Sequence, residues 1–320
     1  MGDASAAAGR ARLAPSLAPE GGRGVRPRLV EYLNALFGTT AFEWLVPEPP
    51  VVYALAMLAV LCVIVRRAGR SGLTRYHVAG AALWAMLGGL VGARVFFLVQ
   101  HLGETLANPW QALDPAGGIA SWGAYLGGLA GLALYCLVYK QDLPRHADLV
   151  ASALGLGVAV GRLSCFLNGD DFGTLSSAPW AVSFPHASYP FVAQARAALI
   201  SPLADLSLPV HPVQLYLSLN GLVLFLLASR FYKSFAPWPG ATFCFYWLCY
   251  GTARFALEFF RGDQSAHLLF GALTVPQVLC LLSLPAAAFG LRRSLRRADE
   301  PGSSVSVVAA PTKAAAQVST

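Results

Sequence analysis

The chain has 320 residues, 56% hydrophobic and 12% charged, with a mean hydropathy of +0.55. That composition excludes an ordinary soluble globular domain of this length. The formal charge of +7 does not indicate nucleic acid, because Lys and Arg fall in short clusters between apolar runs, the distribution that orients a polytopic membrane protein.

Residues 1–28 are rich in Ala, Gly, Pro and Arg, contain no apolar core of signal-peptide length and read as a disordered extension. Over 29–48, apolar and aromatic positions are broken by Glu31, Glu43 and Glu48, which predicts a short interfacial helix rather than a span. The N-terminal extension, disordered or interfacial, therefore covers about residues 1–40. Taking about 20 apolar residues per crossing, the sequence predicts seven transmembrane helices, over 50–65, 76–99, 119–138, 147–167, 212–232, 239–260 and 268–291. The expected fold is an all-α membrane helical bundle over 41–291 with a large outer loop at 168–210. A tail at 292–320, first basic and then disordered, follows on the cytoplasmic side.

Basic clusters follow the odd spans: Arg66, Arg67, Arg70 and Arg75; Lys140 and Arg145; Arg230 and Lys233; Arg292, Arg293, Arg296 and Arg297. These are assigned to the cytoplasm, which puts the N-terminus outside and the C-terminus inside. Arg10, Arg12, Arg23, Arg26 and Arg28 run against the rule but lie far from the first span. Glycines at four-residue spacing (Gly88 and Gly92; Gly123, Gly127 and Gly131; Gly157 and Gly161) predict close helix packing in lipid. Pro212 opens the fifth span, and Pro276 and Pro285 are expected to kink the seventh. The six cysteines lie in apolar segments without metal-ligand spacing and read mostly as small buried hydrophobes. His186, His211 and His267 are scattered, so no metal and no cofactor are expected.

The most informative stretch is Gly161-Arg-Leu-Ser-Cys-Phe-Leu-Asn-Gly-Asp-Asp-Phe-Gly173, where Arg162 sits inside an apolar helix just before a polar, acidic end. An ionisable residue within a span is costly enough to be read as functional, although a snorkelling arginine is the plain alternative. The other unusual polar residues map to the same outer side: Tyr53, Arg94, Trp122, Asn168, Asp170, His211, Gln214, and Tyr250, Arg254 and Glu258 on one face of the sixth span. Arg254 and Glu258 are also spaced as a bracing i, i+4 ion pair. If Asp170 and Glu258 each neutralise one arginine, Arg94, Arg162 and Arg254 leave a surplus cation, which suits a phosphate-bearing ligand.

The stretch at 161–173 resembles the signature of the bacterial prolipoprotein diacylglyceryl transferases. Further similarities run through the chain at about 50–290: Tyr53-Ala-Leu, Gly92-Ala-Arg94, Pro179-Trp-Ala-Val182, His211-Pro-Val-Gln-Leu-Tyr216 and Tyr250-Gly-Thr-Ala-Arg254-Phe-Ala-Leu-Glu258-Phe-Phe-Arg261. Three positions depart from the family pattern. Trp122 stands where the family has histidine, Cys165 where it usually has Asn, and Leu217 where Glu is common.

The resemblance implies transfer of diacylglyceryl from phosphatidylglycerol to the lipobox cysteine of a prolipoprotein signal peptide, at the outer face of the bacterial inner membrane. Arg162, Arg254 and Asp170 are then the expected catalytic residues. Tyr53, Arg94, Asn168, Gly173, His211, Gln214, Tyr250 and Glu258 are the expected substrate-binding residues. Asp170, His211 and Glu258 are alternative proton acceptors. A homologue that binds anionic lipid without catalysis, and a small-anion transporter, are the competing readings.

Overall fold

A computed structural model of the chain describes residues 29, 33, 36, 49–69, 71–110, 118, 120–235, 238–263, 267–268 and 271–296. The expected disordered extension, nearly all of the interfacial segment at 29–48 with its three glutamates, and the tail beyond 296 lie outside these residues. Within the interfacial segment, Leu29, Leu33 and Leu36 are helical.

The described residues form nine α-helices: α1 (Pro49–Ala68), α2 (Arg75–Gln100), α3 (Leu102–Ala107), α4 (Ser121–Val138), α5 (Leu143–Asn168), α6 (Tyr189–Arg196), α7 (Val213–Phe235), α8 (Ala241–Glu258) and α9 (Val275–Arg296). A two-stranded antiparallel hairpin, β1 (His267–Leu268) with β2 (Leu273–Thr274), precedes α9. Every predicted span contains a helix. By length and composition five can cross a membrane: α1 over Val51–Ala68, α2, α5, α7 and α9. The apolar stretch of α4, Trp122–Val138, is shorter, and α8 is not among the five. The protein is a multi-pass membrane protein, and the membrane-crossing role of α4 and α8 belongs to the proposals below.

The start of the seventh predicted span is corrected. His267–Leu268 and Leu273–Thr274 are the paired strands, and α9 begins only at Val275. The stop is chemical: Gln277, third residue of the helix, reaches back so that its Oε1 accepts from the Thr274 backbone N–H at 2.9 Å, half of a capping box. Pro276 therefore lies in the first turn, where its missing N–H breaks no helical bond, and does not kink the helix as expected. Pro285 does lie inside α9.

The chain divides into two compact units, one from residues up to Met57, Gly157–Leu222 and Ala253–Val278, the other from Leu58–Leu156, Val223–Thr252 and Leu279 onward. In the second unit α2 and α4 meet along their glycines. A Cβ on Gly92 would lie 2.8 Å from the Gly127 Cα, and one on Gly88 3.1 Å from the Gly131 Cα, so only glycine permits this approach. Ile64, Leu149 and Tyr232 belong to one buried cluster of this unit, and Leu132 and Tyr135 to another. Here Asp148, buried within α5, accepts the backbone N–H groups of Gly240 (2.7 Å) and Phe243 (2.8 Å), satisfying donors at the start of α8.

The first unit holds the large loop, which has its own core of Phe172, Phe184 and Val210. Its irregular strands are tied by isolated bridges, Gly173 with Arg261, Leu175 and Val182 each with Val210, and Pro185 with Leu206. Gln194 on α6 fixes Leu208 through both ends of its amide, accepting the backbone N–H at 2.7 Å and donating to the carbonyl at 3.3 Å. The expected outer loop is thus an ordered subdomain.

Candidate active site

The geometry of the site follows from how α5 ends. Gly169 takes a left-handed conformation (φ 82°) and its N–H donates to the Cys165 carbonyl at 2.8 Å, a glycine stop that lets the chain leave the helix axis. Asp171 is also left-handed (φ 55°), which Asp tolerates better than most residues. The two turns separate the adjacent acids. Asp171 pairs with both Arg162 and Arg261, and Arg261 pairs further with Asp263, its Nε donating at 2.9 Å. Asp170 is held differently. Its backbone carbonyl accepts from Gln214 Nε2 at 2.6 Å, its Oδ2 accepts from Asn168 Nδ2 at 3.2 Å, and its buried Oδ1 meets no partner with hydrogen-bond geometry.

The two acids consequently differ in acidity. Burial raises the pKa of Asp171, but Arg162 and Arg261 outweigh it and hold the carboxyl well below the usual carboxylate range. Burial, and then the neighbouring Asp171 charge, push Asp170 up to about 6 against the pull of Asn168, Arg162 and the Cys165 thiol. Burial lowers the Arg261 pKa, while Asp171 and Asp263 more than restore it, so that guanidinium stays charged.

Arg254, only 4% exposed, donates through Nη1 to Glu258, and Glu258 Oε1 accepts from the Thr274 hydroxyl at 3.0 Å. The i, i+4 ion pair foreseen as an alternative does form. It uses a single nitrogen of Arg254, however, and no other hydrogen bond to that side chain occurs among the described residues. Arg254 is also near enough to lower the Asp171 pKa. Tyr53 is 43% exposed, and its hydroxyl meets Cys165 Sγ at 3.0 Å, with Arg162 Nη1 3.9 Å from the same sulfur. Gly161 faces the Tyr53 ring, which would lie at an ordinary contact distance of 3.4 Å from a Cβ there.

Tyr53, Arg162, Asn168, Asp170, Gln214, Arg254 and Glu258 thus fall in one unit and are linked around the end of α5. His211 is in the same unit but turns elsewhere. Its Nδ1 lies 3.1 Å from the Tyr216 hydroxyl and its ring packs edge-on against Phe260 at 5.3 Å. Gly173 has a packing reason, since a Cβ there would sit 2.7 Å from the Cβ of His211. Arg94, Trp122 and Tyr250 belong to the second unit. There Arg94 donates to the Gly118 carbonyl at 2.9 Å, Tyr250 accepts from the Tyr125 hydroxyl at 2.8 Å, and Trp122 is buried edge-on against Trp247 at 5.8 Å.

The expected surplus of arginine is overturned. Around the end of α5 the three guanidiniums of Arg162, Arg254 and Arg261 face four carboxyls, those of Asp170, Asp171, Glu258 and Asp263. Asp171, Asp263, Arg261 and Cys165 were absent from the expected site. The signal for Asp171 and Cys165 lay in the 161–173 motif itself. No group of His, Cys, Asp and Glu residues able to hold a metal occurs among the described residues.

Residues 50–292 match the family model described as prolipoprotein diacylglyceryl transferase. Among similar proteins, the phosphatidylglycerol–prolipoprotein diacylglyceryl transferase of Solidesulfovibrio magneticus is 34% identical over 239 residues, 73% of this chain and 83% of that protein. Those of Cereibacter sphaeroides (31% over 290 residues; 82% of this chain and 92% of that protein) and Clostridium tetani (28% over 238; 74% and 88%) are similar over comparable spans. A match that takes in every helix from α2 to α8, together with the arginines and acids around the end of α5, places the chain in the prolipoprotein diacylglyceryl transferase family.

Proposed function

We propose that this enzyme transfers the diacylglyceryl group of phosphatidylglycerol to the lipobox cysteine of prolipoproteins, at the outer face of a bacterial inner membrane. The observation that carries the reading is Asp170, a half-buried carboxyl whose buried Oδ1 meets no partner with hydrogen-bond geometry and whose pKa is near 6, beside Arg162 and Cys165 at the end of an apolar helix. Asp170 accepts the proton of the substrate thiol. The sulfur then attacks the glyceryl carbon that bears the phosphate ester, the carbon–oxygen bond breaks, and its electron pair leaves on glycerol phosphate. Arg162 and the unfilled donors of Arg254 hold that phosphate and stabilise its growing charge. Glu258 is committed on both oxygens, and His211 faces Tyr216, so both are weaker acceptors than Asp170. Tyr53, Asn168 and Gln214 fix the geometry around this pair, while Arg94 and Tyr250 are proposed to contact the lipid. The test is an assay of the purified chain with phosphatidylglycerol and a lipobox peptide, with the thioether product read by mass spectrometry. A native chain that binds the lipid and yields no product would leave only the non-catalytic reading.

Trp122 occupies the family's histidine position and is packed in an aromatic cluster with Tyr125 and Trp247. A substrate thiol of ordinary pKa, about 8.5, already supplies some thiolate near neutrality, and Asp170 removes the need for a histidine base. Trp122→Phe keeps the edge-to-face contacts and should retain most of the native rate in the same assay. Loss of activity would make the indole itself part of the chemistry.

The seven helices of the predicted spans, α1, α2, α4, α5, α7, α8 and α9, are proposed to cross the membrane, with the N-terminus outside. Cysteines placed at the exposed Thr74 and Asn108 test this in intact cells. Asn108→Cys should react with an impermeant thiol reagent and Thr74→Cys should not; the reverse pattern would invert the topology and move the site to the cytoplasmic face.

A further inference from the structure

The first unit contains a groove of about 480 Å³ whose lining has no charged side chain. One wall is the segment Gly173–Leu175, which leaves the site directly after Asp170 and Asp171. The lining also includes the exposed Ala193 and Ala197, one helical turn apart, and Leu199.

The backbone of 173–175 is an unfinished strand. Leu175 faces Val210 as a non-hydrogen-bonded antiparallel pair, because the flanking bonds run from His211 N–H to the Thr174 carbonyl (2.9 Å) and from Ser176 N–H to the Pro209 carbonyl (3.0 Å). Gly173 faces Arg261 in the same manner, flanked by Thr174 N–H to Phe260 (2.8 Å) and Gly262 N–H to Phe172 (2.9 Å). In such pairs the residue's own N–H and C=O are directed to the other edge. For Leu175 these groups have no hydrogen-bond partner among the described residues; the Gly173 N–H likewise has none, while the Gly173 carbonyl is packed against Gly262.

We propose that this groove receives the segment of the prolipoprotein next to its acceptor cysteine, as an added strand on Gly173–Leu175. This inference rests on the transfer proposed above, which requires a peptide to bring its thiol to Asp170. A phosphate headgroup finds no cation in the groove. An acyl chain would fit its apolar walls but has nothing to offer an unpaired strand edge. An extended peptide satisfies both: its backbone pairs with the edge, and its apolar side chains lie against Ala193 and Ala197. Strand addition also fixes the direction in which the peptide runs, and so carries the cysteine toward the end of α5.

The full-length chain in phosphatidylglycerol nanodiscs, with a synthetic lipobox peptide, tests the groove. Ala197→Trp, which fills the groove, should raise KM for the peptide by about tenfold or more, through the lost contact of one side chain, and leave KM for phosphatidylglycerol and kcat unchanged. Leu175→Pro, which removes one unpaired N–H, should raise the peptide KM by about fivefold, the worth of one hydrogen bond. Equilibrium binding of a peptide with serine in place of the acceptor cysteine should weaken in parallel. That measurement needs no turnover, so a native chain that binds this peptide through the groove yet makes no product would sink the transfer reading and leave the groove standing. A rise confined to KM for phosphatidylglycerol, or unchanged peptide binding, would overturn the proposal. If the tryptophan variant fails to fold, a photo-crosslinking residue at Leu199 decides. Crosslinks to the peptide support the groove, and crosslinks only to lipid defeat it.

Discussion

Arg254→Lys should lower diacylglyceryl transfer by about two to three orders of magnitude, the effect of removing one preorganised donor from a developing oxyanion, with the protein still inserted and folded. Lysine can keep the ion pair to Glu258, so the α8 brace and its link to Thr274 survive. Lost are the planar fork and the donors that Glu258 does not use. Because those donors act on charge that appears only as the carbon–oxygen bond breaks, kcat should carry the loss and KM for phosphatidylglycerol should move little. Arg162→Lys should be similarly damaging and should also loosen Asp171. Near-normal turnover by Arg254→Lys would reduce that residue to a helix brace.

Asp170→Asn should cost about a hundredfold to ten-thousandfold, the usual range for a positioned general base, and should change the pH profile as well. The carboxyl accepts a proton only when ionised. The native rate should therefore fall as pH drops through about 6, where burial places its pKa, and rise above that only with the substrate thiol. Asparagine keeps the shape and the hold of Gln214 on the backbone carbonyl, so the variant should lose the acid limb without losing the fold. A slow Asp170→Asn enzyme that still shows the limb near 6 would assign proton removal to another group.

The sequence made the helices and the arginines at 162 and 254 legible because charge in an apolar run is conspicuous. It did not reveal which acid serves which arginine. Asp170 and Asp171 are neighbours of the same type, and only the left-handed turns at Gly169 and Asp171 send one to Arg162 and Arg261 and leave the other with an unfilled oxygen. Counting acids by helix end therefore missed Asp171 and Asp263 and produced a surplus cation that does not exist. The late start of α9 was written in the chain, as Thr274-Val-Pro-Gln277, but apolar residues 268–273 masked it by extending the span. Sequence spacing likewise gives no sign that Trp180 donates to the Tyr216 hydroxyl at 2.7 Å, in contact with the same residue that engages His211.

The glycine seam between α2 and α4 bears on how a two-tailed lipid is handled. Such a substrate keeps its tails in the bilayer while its headgroup reacts, so the tails must thread between helices on the way in and on the way out. Where backbone touches backbone at Gly88, Gly92, Gly127 and Gly131, no tail can pass and no side-chain movement can open a slot. That seam between α2 and α4 is a closed wall. In the proposed reaction, the tails of substrate and product pass only where helices are separated by side chains, which can swing aside.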